Sequence, residues 1–97
     1  MKMYKDKALK EEVTELDFGI TLAGDTKEIT YYLYNDIEAD LVEIKATVDN
    51  TEVSIKDCPT NLEHKTSSPI IFAWKPSITL KRGLKTKLDL KYFELYS

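Results

Sequence analysis

Apolar and polar residues alternate along most of this chain with a period of two, which is how a strand reads when one face is buried. In Thr26 to Asn35, the side chains of Ile29, Tyr31 and Leu33 point one way and those of Thr30, Tyr32 and Tyr34 the other. Val42, Ile44, Ala46 and Val48 alternate with Glu43, Lys45, Thr47 and Asp49, predicting a strand with one wet face. Val13 to Phe18, stopped by Gly19, predicts an earlier core strand, and Val53 and Ile55 a short one after a tight turn at Asp49-Asn50-Thr51. Ile70 to Trp74 is apolar on nearly every residue, as suits the centre of a sheet, and Pro76 ends it by removing an amide donor. Leu84 to Leu95 predicts the last strand, with Leu88, Leu90 and Tyr92 inward. No long helical stripe competes for the chain.

The connecting pieces are equally legible. Residues 1–11 are polar and charged and are expected to form an N-terminal arm. Ile20 to Asp25 is a link whose glycine and aspartate suit a turn. Cys58 to Pro69 is expected to cross from one sheet to the other, and Ile78 and Leu80 to lead into a hairpin turn at Lys81-Arg82-Gly83. Six or seven short strands over residues 12–97 predict an all-β domain, an immunoglobulin-like two-sheet antiparallel sandwich. Its expected core is Trp74, Phe72, Ile29, Leu33, Val42, Ile44, Val48, Leu88 and Leu90.

Composition narrows the class. At 97 residues the chain suffices for one domain, and a hydrophobic share of 42% beside 32% charged residues suits a folded protein rather than a disordered one. The single cysteine, Cys58, allows no intrachain disulfide, and no apolar leader follows Met1, so synthesis in the cytoplasm without a signal peptide is expected. The longest apolar run, Ile70 to Trp74, is far short of the roughly 20 residues of a membrane helix. Residues 1–57 carry seven Lys/Arg against fourteen Asp/Glu and residues 58–97 seven against three, so the net charge of −3 conceals an acidic first part and a basic second. Such asymmetry is either scattered over a solvated surface or lets copies stack end to end.

Leu16-Asp17-Phe18-Gly19, Ala23-Gly24-Asp25, Tyr32-x-Tyr34-Asn35, Phe72-x-Trp74-x-Pro76, and Gly83 before Leu88-x-Leu90 together resemble the frame of hydin-type (ASH) and related bacterial immunoglobulin-like domains. The likeness spans about residues 13–91, with Trp74 where phenylalanine is usual. A small, cysteine-poor chain of this type is also similar to the immunoglobulin-like virion proteins of tailed bacteriophages. The resemblance implies a non-enzymatic structural or assembly protein, an adaptor or decoration of a phage particle, whose partners are other virion or assembly proteins or further copies of itself.

Candidate chemistry is sparse, and no cofactor or enzymatic motif is present. His64 lies six residues from Cys58 without the glycines an oxyanion hole would use, and a zinc site would need more Cys or His ligands. Asp36, Glu38 and Asp40 have a spacing that a weak calcium site could use, although Leu41 and Thr47 stand where an EF-hand needs Gly and Glu. Lys81, Arg82, Lys85, Lys87 and Lys91 make a basic stretch, but the acidic pI of about 5.1 argues against nucleic acid. Tyr32 and Tyr34 face outward and suit a protein interface, a sugar-stacking pair (the alternative function, a carbohydrate-binding module) or plain cross-strand packing. Phe93, Leu95 and Tyr96 crowd a terminal strand, where they either tuck into the sandwich or form half of an interface.

Overall fold

A computed structural model describes residues 1–22, 24–76 and 82–96. Among them there is no helix, and all strand pairings are antiparallel. The strands are β1 (Lys2–Tyr4), β2 (Glu12–Val13), β3 (Leu16–Thr21), β4 (Lys27–Tyr34), β5 (Asp40–Val48), β6 (Val53–Asp57), β7 (Ser67–Trp74), β8 (Arg82–Thr86) and β9 (Leu88–Leu95). One five-stranded sheet has the order β2-β1-β4-β7-β6, while β3 pairs with β8 and β5 with β9. Inward side chains of all three sheets meet in one core, an arrangement compatible with a β-sandwich. Only Lys87 separates β8 from β9, so nearly continuous chain serves both two-stranded sheets, β8 beside β3 and β9 beside β5.

The core is built from β4 and β7 outward. Tyr31, Leu33, Ile70, Phe72 and Trp74 are buried on the inner face of the large sheet, and Phe18 meets Trp74 with ring centroids 5.8 Å apart. Leu16 and Phe18 supply β3's share. After them the register slips between Asp17 and Ile20, with Gly19 at φ +68°, a left-handed geometry that costs glycine nothing. Asp17 braces this bulge: its carboxylate accepts the Gly19 amide at 2.9 Å, and its own amide donates to the Tyr31 hydroxyl at 3.0 Å. The strand continues to Thr21, so Ile20 and Thr21, expected in a link, belong to β3. Gly24, at φ +85°, holds the turn that follows.

Four further expectations need correction. Residues 1–11 are not a free arm: β1 pairs with β4 through Met3↔Leu33 and Tyr4↔Tyr32, and β2 pairs with β1. The intervening loop folds on the Asp6 carboxylate, which accepts the amides of Lys10 and Glu11. The segment from Cys58 to Pro69 does not cross between sheets, since β6 and β7 are neighbours in one sheet; it swings out to bridge Leu62 with Leu41 of β5 and returns. The crossing is made by the tight turn after β5, where the Asn50 side chain accepts the Glu52 amide at 2.8 Å. Arg82 and Gly83 lie in β8 rather than in a turn.

The fourth correction concerns Val42. The β5–β9 register slips between Val42 and Lys45, leaving Glu43 and Ile44 opposite Tyr92, with Glu43 at φ +53°. A bulge adds one residue to one strand and so inverts the facing pattern beyond it. Leu41 and Ile44 are therefore both buried, and Val42 stands outside the core, directly opposite Phe93. Of the other expected core residues, Ile29, Val48, Leu88 and Leu90 pack against the cluster half-buried. Ala23, Ile78, Leu80, Lys81 and Ser97 lie outside the described residues.

Candidate interaction surface

Strand β9 presents two different faces. Leu88, Leu90 and Tyr92 turn inward and are half-buried, while Asp89, Lys91, Phe93 and Leu95 turn outward and are exposed. Phe93 is 65% exposed, Leu95 58% and Tyr96, just past the strand, 64%. Because Val42 sits opposite Phe93, the bulge at Glu43 sets a second apolar residue beside the ring. A shallow hollow of about 230 Å³ lies next to it, lined by Glu43, Lys45, Lys91, Tyr92 and Phe93.

The edges of β9 differ too. One is paired with β5 along its length; among the described residues the other has no strand beside it. By contrast, β5's far edge is partly covered, since Leu41 exchanges backbone hydrogen bonds with Leu62 and the Ile44 amide donates to the Thr60 carbonyl at 2.9 Å. Beneath β9 a groove of about 240 Å³ opens between Leu88 and Leu90 on one side and Met3, Val13 and Thr14 on the other. Among the described residues the inward leucines of β9 are thus covered on one flank and not on the other.

Charge on the strand is unbalanced. Lys91 lies directly opposite Lys45 of β5, a like-charge cross-strand pair that destabilises. Asp89 faces Thr47, and neither Lys91 nor Asp89 has an ionic partner among the described residues.

The other expected residues fall elsewhere. Tyr32 and Tyr34 occupy the outer face of the large sheet, away from Phe93, Leu95 and Tyr96, so the two groups do not form one surface. Both are half-buried, and Tyr4 meets Tyr34 edge to face, with ring planes 74° apart, so these two rings offer no shared flat platform. The signal that would have linked Tyr4 to them is the β1–β4 pairing, which polar residues 1–11 do not advertise. Asp36, Glu38 and Asp40 turn to separate partners: the Met1 amino group, the His64 ring with Lys65, and the His64 amide. Among the described residues no three His, Cys, Asp or Glu side chains gather around a point that could hold a metal.

His64 is held by the acidic loop, with Nδ1 2.6 Å from the Ile37 carbonyl and Nε2 3.3 Å from Glu38. The Cys58 thiol donates instead to the Pro59 carbonyl, and burial, followed by the negative charge of Asp57, raises its pKa above the ordinary thiol value. Neither residue is arranged to activate the other. Among the described residues Asn35 is the one polar residue with a fully buried side chain: its amide nitrogen donates to the carbonyls of Ala39 and Leu62, and its oxygen accepts the Ile37 amide. It ties the loop after β4 to the segment that bridges β5. Among the described residues no helix is long and apolar enough to cross a membrane.

Comparisons with protein-family models, with curated proteins and with solved structures return no match.

Proposed function

We propose that this chain is a non-enzymatic assembly protein of the immunoglobulin-like type, working through protein–protein contacts on its last strand. The observation that carries the reading is β9, with one edge unpaired among the described residues and Phe93, Leu95 and Tyr96 more than half exposed beside it. Large apolar groups next to an open strand edge favour a neighbouring chain, because the edge supplies backbone donors and acceptors and the side chains supply buried area. The immunoglobulin-like assignment draws support from the strand distribution. With β1, β4, β7 and β6 in one sheet and β5 with β9 in another, the order parallels the ABED and CF arrangement of that sandwich. The setting in a phage particle, as an adaptor or decoration, rests on the motif resemblance. Site-specific photocrosslinking from position 93 in native or infected cells tests the proposal. One or a few discrete protein adducts are expected, absent from a probe at the exposed edge residue Ser54 and lost with Leu95→Glu. Identical, diffuse labelling from both positions would overturn it.

A further inference from the structure

We infer that the open edge of β9 pairs with β9 of a second copy, antiparallel about a two-fold axis through Leu90. The inference rests on the reading of β9 as an interaction strand and names its occupant. A two-fold axis perpendicular to the sheet keeps inward residues inward, so only registers that match like faces are allowed. Centring on Lys91 sets two lysines together. Centring on Tyr92 sets Glu94 over Leu90 on the inner face.

Centring on Leu90 places Asp89 of each copy opposite Lys91 of the other, twice by symmetry. Each lysine then gains the counter-charge that Lys45 denies it within its own chain. On the inner face Leu90 meets its own copy and Leu88 meets Tyr92, closing the groove that leaves both leucines half-buried. At each end Lys87 comes opposite the exposed Phe93 ring, where its alkyl stem can lie across the aromatic face. Residues 87–93 suffice for this ladder, so the pairing of β8 with β3 is left intact.

Sedimentation of the purified chain over a wide concentration range tests the inference, with folding of each variant checked by circular dichroism. The parent is expected to form a dimer that weakens with salt, because exposed ion pairs are screened within about 8–10 Å near physiological ionic strength. Asp89→Lys and Lys91→Asp should each lower the association constant by roughly tenfold or more, and the double reversal should restore it. In a Cys58→Ser background, Leu90→Cys should oxidise readily to a disulfide-linked dimer and Asp89→Cys should not, which tests the register even if a charge reversal fails to fold. A dimer indifferent to both single reversals, or cross-linking at 89 in preference to 90, would overturn the register. A parent that stays monomeric would overturn self-pairing, while discrete hetero-adducts from position 93 would leave the assembly role standing.

Discussion

Substituting Asn35 tests the joint that holds the loop segments together. Its amide is fully buried, with Nδ2 2.8 Å from the Ala39 carbonyl and 3.0 Å from that of Leu62, and Oδ1 2.9 Å from the Ile37 amide. Asn35→Asp keeps the shape and the Ile37 bond but turns an oxygen toward two carbonyls. An uncompensated buried charge of this kind costs about 3–5 kcal/mol, a large share of the roughly 5–15 kcal/mol that holds a domain together. The penalty should depend on pH. Burial and the facing carbonyls raise the folded-state pKa of the new carboxyl above the unfolded value of about 3.9, so the folded variant binds the extra proton more readily. The deficit relative to the parent should therefore be smallest near pH 4 and grow as pH rises through the raised folded-state value toward 7. Urea unfolding, read by the fluorescence of the lone, buried Trp74, measures this at both pH values. Asn35→Ala adds no charge but orphans the Ala39 carbonyl and the Ile37 amide, at about 1–3 kcal/mol each before water enters, while the Leu62 carbonyl keeps the Leu41 amide; it should also be destabilised, without the added pH dependence. A deficit for Asn35→Asp below about 1 kcal/mol and flat with pH would refute the burial and partners assigned to this amide.

Trp74→Ala should cost about 3–5 kcal/mol in chemical denaturation followed by circular dichroism, since the ring is fully buried against Phe18. Phe93→Ser should change stability by less than about 0.5 kcal/mol while lowering association, because most of the ring is in solvent; a loss of several kcal/mol would place it in the core. Glu43→Gly should be neutral or stabilising by up to about 1 kcal/mol despite glycine's entropy, because φ +53° is strained for glutamate, and clear destabilisation would count against the bulge. The Cys58 thiol should alkylate several-fold more slowly than a free cysteine at pH 8, burial being the main cause of its raised pKa; equal rates would mean an open thiol. Asp6, whose pKa is lowered chiefly by the Glu11 amide, should lend its loop order that is complete above the ordinary value of 3.8 and is lost as pH falls through the lowered one, measurable by amide exchange of Lys10 and Glu11.

Much of the strand content and the central core was written in local pattern. Alternation in Thr26 to Asn35 and the apolar run Ile70 to Trp74 locate β4 and β7, because a half-buried strand and a fully buried one each impose a residue pattern that no neighbour is needed to reveal. The outward exposure of Phe93, Leu95 and Tyr96 was one of two readings open to the sequence, and choosing between them required knowing where the sheet ends. Tyr32 and Tyr34 point outward as their parity requires, but the pairing of Tyr4 with Tyr32 and its ring contact with Tyr34 depend on a strand only three residues long in a polar segment.

The sequence by itself determined that the chain is all-β and which residues can share a face, since these depend on contacts within a few residues; its glycines and prolines did not fix the strand ends, because Gly19, Pro69 and Gly83 lie inside β3, β7 and β8. Tertiary structure alone decided which strands became neighbours and where the register slips. The bulge at Glu43 illustrates the difference: one inserted residue sends Val42 out and Leu41 in, and nothing in the alternation of Val42 to Asp49 signals it. Pairing between distant segments is set by the summed burial of both partners, so no single segment encodes it. The open edge of β9 is of the same kind, a property of what does not lie beside a strand in space, which only the assembled sheets can define.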